Sequence, residues 1–125
     1  MKIKTNVLVV DDDPFLGVAL KDILAEDRYE VFDAANVSAG LQLAARVVPH
    51  LIVADMRMPM LSGLDLIAAV RANPGLRHIP ILICSAQSPT NEDECLRLGA
   101  NGYMSKPVDL GVLQRKVLDM LGHPA

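Results

Sequence analysis

Short apolar runs alternate with helical patterns along the whole chain, and this alternation limits the folds that the chain can adopt. Most of the runs are apolar throughout, which is typical of strands covered on both faces of a sheet. The mixed polarity of residues 29–34 instead favours an edge strand. The predicted strands are residues 7–10, 29–34, 51–54, 79–84 and 102–104.

Helical patterns occupy the intervals between these runs. The first helix follows Asp13-Pro14, where a good N-cap residue precedes proline at the first helical position. The second is capped by Asn36 or Ser38 and ends at Pro49. Three more are predicted at about residues 64–72, 90–98 and 110–121, the last burying Leu110, Leu113, Val117 and Met120 or Leu121. Strands that alternate with helices imply a parallel sheet with helices on both faces, a doubly wound α/β domain.

Length and composition narrow the class of protein. The 125 residues and the 51% hydrophobic content fit a single domain, predicted as residues 1–125 with a structured core at about 5–121. The 12 Lys and Arg residues are scattered and aromatic residues make up only 3%, so direct nucleic-acid binding is not expected. No apolar run approaches the roughly 20 residues of a membrane span, so membrane insertion is not expected either. Cys84 and Cys95 match no metal-ligand spacing and are too few for a disulfide framework, which favours a cytoplasmic location.

Polar residues directly follow four of the five predicted strands. In a doubly wound fold, ligands bind beyond the carboxyl ends of the strands, so these residues are candidates for a site. Three consecutive acids after the first strand exceed what the capping of one helix requires, which favours a site over a solvated cap. The candidates are Asp11, Asp12 and Asp13 after the first strand, Asp55 after the third, Ser85 after the fourth, and Lys106 with Pro107 after the fifth.

Four motifs carry a resemblance to a known family. They are Val-Val-Asp-Asp-Asp at 9–13, Ala-Asp-Met-Arg-Met-Pro at 54–59, Ser-Ala at 85–86 and Gly-Tyr-Met-Ser-Lys-Pro at 102–107. With these motifs in this order, the chain resembles the receiver domain of bacterial two-component response regulators. The resemblance implies a flavodoxin-like sheet of five strands in the order 2-1-3-4-5. It also implies a phosphorylation-activated signalling switch.

The acids at the predicted rim favour a divalent cation, because carboxylates placed close together repel one another. Oxygen ligands of this kind suit Mg²⁺ with retained waters better than zinc. By the resemblance, Asp12 and Asp55 would bind Mg²⁺ directly, and Asp11 would act mainly through water. The main-chain carbonyl of Arg57 would complete the protein ligands, and Mn²⁺ could substitute for Mg²⁺.

The resemblance also assigns the phosphoryl chemistry. Asp55 would accept the phosphoryl group, and Lys106 and Ser85 would contact its oxygens. The peptide bond between Lys106 and Pro107 would be cis. Ser85 and Tyr103 would relay the change to a surface formed by the fourth helix, the fifth strand and the fifth helix.

The implied partners lie on both sides of such a switch. A sensor histidine kinase or a histidine phosphotransfer protein would supply the phosphoryl group, and an output domain or effector protein would respond. The resemblance also implies that a second copy of the chain could be a partner, in a homodimer that forms on phosphorylation. The role would be regulatory rather than enzymatic, with Mg²⁺-dependent self-phosphorylation and a slow self-dephosphorylation that Arg57 and Gln87 would tune. The sequence leaves open whether the chain is a stand-alone receiver or part of a longer regulator or hybrid kinase.

Three other interpretations stay open at this point. A small Mg²⁺-dependent aspartate-nucleophile phosphatase would use Asp11 and Asp13, since two aspartates separated by one residue resemble the haloacid dehalogenase pattern. Phe15 departs from the Thr or Val of that pattern, and 125 residues leave no room for a cap domain. A flavodoxin-like flavin carrier would need Ser, Thr or Gly donors after the first strand, where this chain has acids. A degenerate receiver that only binds partners is disfavoured by the complete set of site residues.

Overall fold

Strands and helices alternate along residues 3–86 and 92–123, the parts of the chain that the computed structural model describes. The strands are β1 (Thr5–Val10), β2 (Tyr29–Ala34), β3 (Leu51–Asp55), β4 (Ile81–Ser85) and β5 (Gly102–Ser105). The helices are α1 (Phe15–Ile23), α2 (Val37–Val47), α3 (Gly63–Ala72), α4 (Glu92–Leu98) and α5 (Leu110–Leu121). Each predicted strand and helix is therefore present, with small differences at the ends.

All five strands run parallel in one sheet, in the order β2-β1-β3-β4-β5. The predicted doubly wound class and the strand order 2-1-3-4-5 are thereby confirmed, and β2 lies at an edge as its polarity indicated. The strands end at nearly the same level: the last residues of β1 and β2, Val10 and Ala34, pair with each other, and so do those of β4 and β5, Ser85 and Ser105. Val10 also pairs with Ala54, the residue before the end of β3. The carboxyl ends of the strands therefore lie side by side, and the candidate polar residues follow the strands at this end of the sheet.

Two hydrophobic clusters cover the two faces of the sheet. Successive strand residues point to opposite faces, so Ile52 belongs to one cluster and its neighbours Leu51 and Val53 belong to the other. Helices α2, α3 and α4 contribute side chains to the first cluster, and α1 and α5 contribute to the second. Every residue of β3 and β4 is buried. The residues at the ends of these strands are therefore held by the most densely covered part of the sheet.

The first two helices begin close to their predicted caps. The prediction of Asp13 as the N-cap of α1 was wrong by one residue, since Pro14 occupies that position. The Asp13 carboxylate instead accepts the N–H of Phe15, two residues on, at 2.9 Å. Asn36, one of the two predicted alternatives for α2, caps that helix by accepting the N–H of Ala39 at 2.8 Å.

The predicted buried face of α5 was wrong at Leu110, which is 48% exposed. Leu113 and Val117 are buried as predicted, and Leu118 is buried beside them. Apolar side chains lie on more than one side of this helix, so periodicity alone did not select the buried side.

The described residues leave some predictions at the ends of segments untested. The predicted start of the fourth helix, at residue 90, lies outside them, and α4 begins at Glu92 where the description resumes. That residues 1–125 form a single domain with a core at about 5–121 stays a prediction. Within the described ranges, no helix is long and apolar enough to cross a membrane.

Candidate functional site

Three carboxylates meet at the carboxyl ends of β1 and β3. Asp11 and Asp12 follow β1 directly, and Asp55 is the last residue of β3. Each carboxylate offers an oxygen, and these oxygens lie within 4.8 Å of one another. Asp11 and Asp55 are buried whereas Asp12 is exposed. The cluster therefore has one side covered by protein and one side open to solvent.

Local main-chain bonds orient the two buried carboxylates. The N–H of Asp13 donates to Asp11 Oδ1 at 2.9 Å, and the N–H of Arg57 donates to Asp55 Oδ2 at 3.1 Å. In both cases an aspartate accepts the N–H of the residue two positions on, a turn that the short Asp side chain favours. The second oxygen of each carboxylate faces Lys106.

The Lys106 ammonium contacts both buried carboxylates. Its Nζ lies 2.7 Å from Asp55 Oδ1 and 3.7 Å from Asp11 Oδ2. The main-chain N–H of Lys106 donates to the Ser85 carbonyl at 2.8 Å, which ties the segment after β5 to the end of β4. The bond between Lys106 and Pro107 is cis, as the resemblance implied. The structure thus brings together Asp11, Asp12, Asp55 and Lys106. Of the three predicted acids after β1, Asp13 is not in this group, and its carboxylate accepts the Phe15 N–H instead.

Burial and charge shift the ionisation of these groups. Burial raises the pKa of Asp11, although the bond from the Asp13 N–H and the charge of Lys106 partly oppose the rise. Burial acts to lower the pKa of Lys106, but the hydrogen bond to Asp55 and the negative charges of Asp11 and Asp55 outweigh burial, so this pKa is raised. The Lys106 ammonium therefore stays charged at neutral pH.

The other predicted site residues occupy different surroundings. Ser85 is fully buried at the end of β4. Tyr103 is 8% exposed on the neighbouring strand β5, and its hydroxyl oxygen is buried with no hydrogen-bond partner among the described residues. The Arg57 side chain is exposed. Gln87 lies outside the described residues.

The sequence interpretation missed Gly63, which lies beside the site. A Cβ on Gly63 would lie 3.0 Å from the Asp55 carbonyl oxygen, so only glycine lets α3 begin this close to β3. The Gly63 N–H donates to the Met56 carbonyl at 2.8 Å, and the Ser-Gly pair at 62–63 was the available signal. Cys84 pairs with Asp55 in the sheet, and burial raises the pKa of its thiol to about 12. This thiol therefore adds no charge beside the carboxylates at neutral pH.

The donor set fits a small divalent cation. All three side chains offer carboxylate oxygens, which are the ligands that Mg²⁺ prefers in proteins. The exposed position of Asp12 leaves one side of the cluster open to solvent, which suits Mg²⁺ because this ion keeps several of its waters. An ion at this position would also offset the mutual repulsion of the carboxylates.

Comparison with known proteins agrees with this geometry. A family model described as the response regulator receiver domain matches residues 7–118. The chain belongs to this family. Among the relatives of this receiver domain, the chemotaxis protein CheY of Pseudomonas aeruginosa is 30% identical over 114 residues, which cover 90% of this chain and 92% of that protein. The solved structure of the chemotaxis response regulator CheY4 of Vibrio cholerae matches with a TM-score of 0.84 at 27% identity, covering 94% of this chain and 98% of that one.

Some relatives are much longer than this receiver domain. Histidine kinase P4 of Formosa agariphila is 32% identical over 121 residues, which cover 96% of this chain but only 9% of the kinase. The receiver domain therefore corresponds to a small part of that protein. Activities of the whole kinase do not follow from the match.

Membership in the family decides the class of function. The receiver domain is a phosphoacceptor signalling switch and belongs to a family of regulatory proteins rather than of enzymes in the usual sense. The alternative of a small aspartate-nucleophile phosphatase is not favoured, because the family match extends over all four motifs.

Proposed function

We propose that Asp55 is the side chain on which this receiver domain accepts its phosphoryl group. The observation that carries the proposal is the meeting of three carboxylates within 4.8 Å, with the Lys106 ammonium 2.7 Å from Asp55 Oδ1. Phosphoryl transfer depends mainly on positioning and on charge neutralisation, and this arrangement offers both. Of the two buried carboxylates, Asp55 lies closer to the ammonium than Asp11 does.

Asp11, Asp12, Asp55 and the main-chain carbonyl of Arg57 would hold Mg²⁺, for which Mn²⁺ could substitute. When bound, the ion supplies positive charge that neutralises the carboxylates and the oxygens of an incoming phosphoryl group. The all-oxygen donor set and the solvent-open side at Asp12 support this assignment. Asp11 would contribute mainly through water, as the resemblance to the family implies.

The proposed donor is a phosphohistidine of a sensor histidine kinase or of a histidine phosphotransfer protein. A carboxylate oxygen of Asp55 attacks the phosphorus, the P–N bond breaks, and the donor imidazole keeps the electron pair of that bond. Lys106 contacts a phosphoryl oxygen as a compact charge with three N–H donors. The Ser85 hydroxyl donates to another phosphoryl oxygen. Small phosphodonors such as acetyl phosphate would donate to Asp55 in self-phosphorylation. In slow self-dephosphorylation, water attacks the phosphorus, the P–O bond to Asp55 breaks, and inorganic phosphate leaves with the Asp55 carboxylate restored.

Ser85 and Tyr103 are proposed to relay the new charge to the surface formed by α4, β5 and α5. Phosphorylation increases the negative charge on the Asp55 side chain from about one to about two units. Ser85 and Tyr103 lie on adjacent strands that pair in register, which supports a coupled movement. The buried hydroxyl of Tyr103 has no hydrogen-bond partner among the described residues, so its position carries an energetic cost that a change of state could relieve.

The proposed partners follow from the proposed role. The receiver domain would act in the cytoplasm, where its phosphodonor protein acts on it, and an output domain or effector protein would bind the α4-β5-α5 surface in one state. A phosphorylation-dependent homodimer through the same surface is part of the proposal. This surface exposes Leu96, Leu98 and Leu110 by 43%, 42% and 48%, which supports its use in an interaction.

Incubation with acetyl phosphate and Mg²⁺ tests the proposed acceptor. We expect intact-protein mass spectrometry to show one added phosphoryl group, which is absent when EDTA replaces Mg²⁺. Asp55→Asn should abolish the added mass because its amide cannot form the acyl phosphate. The matched control is Asp119→Asn on α5, an exposed aspartate remote from the carboxylate cluster, which should be labelled as the wild-type chain is. Full labelling of Asp55→Asn would refute the assignment.

A further inference from the structure

Every N–H donor of the Arg71 guanidinium donates to a neutral oxygen. These oxygens lie near the amino-terminal ends of the strands, whereas the carboxylates lie at the carboxyl ends. The Nε and Nη2 of Arg71 donate to the Gly99 carbonyl at 2.9 and 2.7 Å. Its Nη1 donates to the carbonyls of Arg77 and Ile79 at 2.9 and 2.7 Å. Nη2 also donates to Asn101 Oδ1 at 2.7 Å. Among the described residues Arg71 has no carboxylate partner, so its charge is held by carbonyl and amide oxygens alone.

These bonds join the end of α3 to the segment that leads into β4 and to the segment after α4. Arg71 lies in the last turn of α3, Ile79 lies just before β4, and Gly99 directly follows α4. Asn101 extends the connection into the sheet, because its Oδ1 also accepts the Ile81 N–H at 2.9 Å. Its main-chain N–H donates to the Ile81 carbonyl at 2.8 Å. The carboxyl-terminal end of α4 is therefore fixed to both α3 and the first residue of β4.

The backbone at Gly99 is shaped for this contact. Gly99 has a φ of +120°, and a Cβ there would lie 2.9 Å from Arg71 Nε and 3.0 Å from Arg71 Cγ. Only glycine permits both the conformation and the close approach of the guanidinium. The segment after α4 thus packs directly against the Arg71 side chain.

The rest of α4 is held far less firmly than this end. Among the described residues the helix comprises Glu92–Leu98, and Cys95 is the one buried side chain within these seven residues. The acidic residues of its first turn, Glu92, Asp93 and Glu94, are all exposed. Within residues 92–98, packing against the first hydrophobic cluster therefore rests on a single small side chain. The anchoring of α4 is concentrated at its carboxyl-terminal end.

We propose that Arg71 is a positioning residue that makes Gly99 the pivot of α4 when the receiver domain switches. The inference rests on the proposed phosphorylation of Asp55. Movement driven from the carboxylate cluster would swing the amino-terminal end of α4, while the bonds from Arg71 hold Gly99 and Asn101 in place. Phosphorylation would then reorient α4 on the output surface instead of displacing it as a whole.

The planar fork of arginine is what the pivot requires. Lysine in its place would keep the charge but offers a single nitrogen, which cannot reach the Gly99 carbonyl, the Ile79 carbonyl and Asn101 Oδ1 at once. Arg71→Lys therefore removes the pivot while it preserves the net charge. Arg97→Lys on α4 is the matched control, because Arg97 is exposed and its side chain makes no hydrogen bond or ion pair among the described residues.

Amide resonances in ¹H–¹⁵N spectra test the pivot on the full chain. The measurement compares Mg²⁺ alone with Mg²⁺ plus beryllium fluoride, which adds to an aspartate carboxylate with the shape of a phosphoryl group. In the wild-type chain we expect Glu92, Asp93 and Glu94 to shift by more than a linewidth and Gly99 and Asn101 by less than one. In Arg71→Lys all five should shift by more than a linewidth, whereas Arg97→Lys should behave as the wild-type chain.

Two results would overturn the pivot. Wild-type Gly99 and Asn101 could shift as far as Glu92 does, a result that needs no variant and so does not depend on the folding of Arg71→Lys. Alternatively, Arg71→Lys could reproduce the wild-type pattern. Labelling by acetyl phosphate, run in parallel, separates the two proposals. Labelling of Asp55 with movement at Gly99 contradicts the pivot alone, and absence of labelling contradicts the proposed function and the pivot with it.

Discussion

The Lys106 ammonium lies 2.7 Å from one carboxylate oxygen of Asp55, with the nearer oxygen of Asp11 at 3.7 Å. This pairing joins the ends of three strands, since Asp11, Asp55 and Lys106 follow or end β1, β3 and β5. Two buried carboxylates would repel each other without a cation between them. Lys106 therefore stabilises the arrangement on which the proposed phosphoryl transfer depends.

Lys106→Met should slow self-phosphorylation by acetyl phosphate by about 100-fold or more, because it removes a charged donor from the developing phosphoryl oxygens. The rate is measured by intact-protein mass spectrometry at saturating Mg²⁺. Lys116→Met on α5 is the control, since Lys116 makes no ion pair among the described residues. An unchanged rate in Lys106→Met would remove Lys106 from the proposed mechanism.

Mg²⁺ should stabilise the folded chain through the carboxylate cluster. At a Mg²⁺ concentration ten times the Kd, binding to the folded state alone raises the free energy of unfolding by about 1.4 kcal/mol. Urea denaturation followed by circular dichroism measures this increase. Asp12→Ala should lose most of it because Asp12 is a proposed direct ligand, whereas Asp93→Ala on α4, also an exposed aspartate, should keep it. Equal stabilisation of the two variants would show that Mg²⁺ acts elsewhere.

Asp11→Asn should stabilise the protein in EDTA at neutral pH. Burial raises the pKa of Asp11 above its ordinary value of 3.8, so the folded state binds this proton more tightly than the unfolded chain does. The stability that Asp11 contributes is then fully present below about pH 3.8 and is lost as the pH rises through the raised pKa. Asparagine carries no such proton, so the variant does not lose this stability. In urea denaturation its free energy of unfolding should exceed that of the wild-type chain above the raised pKa, and the difference should vanish below about pH 3.8. A constant difference at all pH values would contradict the prediction.

The fold and most of the candidate site could be predicted because both follow from local patterns. Continuous apolar runs identified the central strands, and alternation with helices required them to be parallel. Parallel strands bring their carboxyl ends to one edge, so Asp11, Asp55 and Lys106 were expected to meet without any knowledge of distances. The motif order then supplied the family.

What could not be predicted depends on contacts between distant segments. The partners of Arg71 include Gly99 and Asn101, which lie 28 and 30 residues away, and no local pattern marks the guanidinium as their common donor. The prediction that Leu110 lies on the buried face of α5 was wrong because apolar residues occur around this helix. Packing against the sheet, which is not a local property, selects the side that is buried. The lack of a hydrogen-bond partner for the Tyr103 hydroxyl among the described residues likewise depends on what surrounds the ring.

Removal of the hydroxyl should change the free energy of unfolding in opposite directions at the two tyrosines. The Tyr29 hydroxyl contacts His123 Nδ1 at 2.8 Å, so Tyr29→Phe should lower the free energy of unfolding by about 1 kcal/mol. The Tyr103 hydroxyl is buried without a partner among the described residues, so Tyr103→Phe should raise it by about 1 kcal/mol or more. Urea denaturation of both variants measures the difference. Destabilisation by Tyr103→Phe equal to that by Tyr29→Phe would show that the Tyr103 hydroxyl has a partner.

Gly99→Ala should destabilise the protein more than Gly122→Ala does. Both glycines have positive φ, +120° at Gly99 and +74° at Gly122, and an L-residue in the left-handed region costs about 1–2 kcal/mol. A Cβ at Gly122 meets nothing within 4 Å, whereas one at Gly99 would lie 2.9 Å from Arg71 Nε. We therefore expect a loss of about 1 kcal/mol for Gly122→Ala and more than about 2 kcal/mol for Gly99→Ala.

The excess loss at Gly99 should depend on the Arg71 side chain. A double-mutant cycle combines Gly99→Ala with Arg71→Ala, which removes the guanidinium that the new Cβ would meet. In that background Gly99→Ala should lower the free energy of unfolding only about as much as Gly122→Ala does. Thermal or urea unfolding of the four chains measures the coupling. Full additivity of Gly99→Ala and Arg71→Ala would mean that the backbone conformation alone sets the cost, and that the packing of Arg71 against Gly99 contributes nothing to the stability of this end of α4.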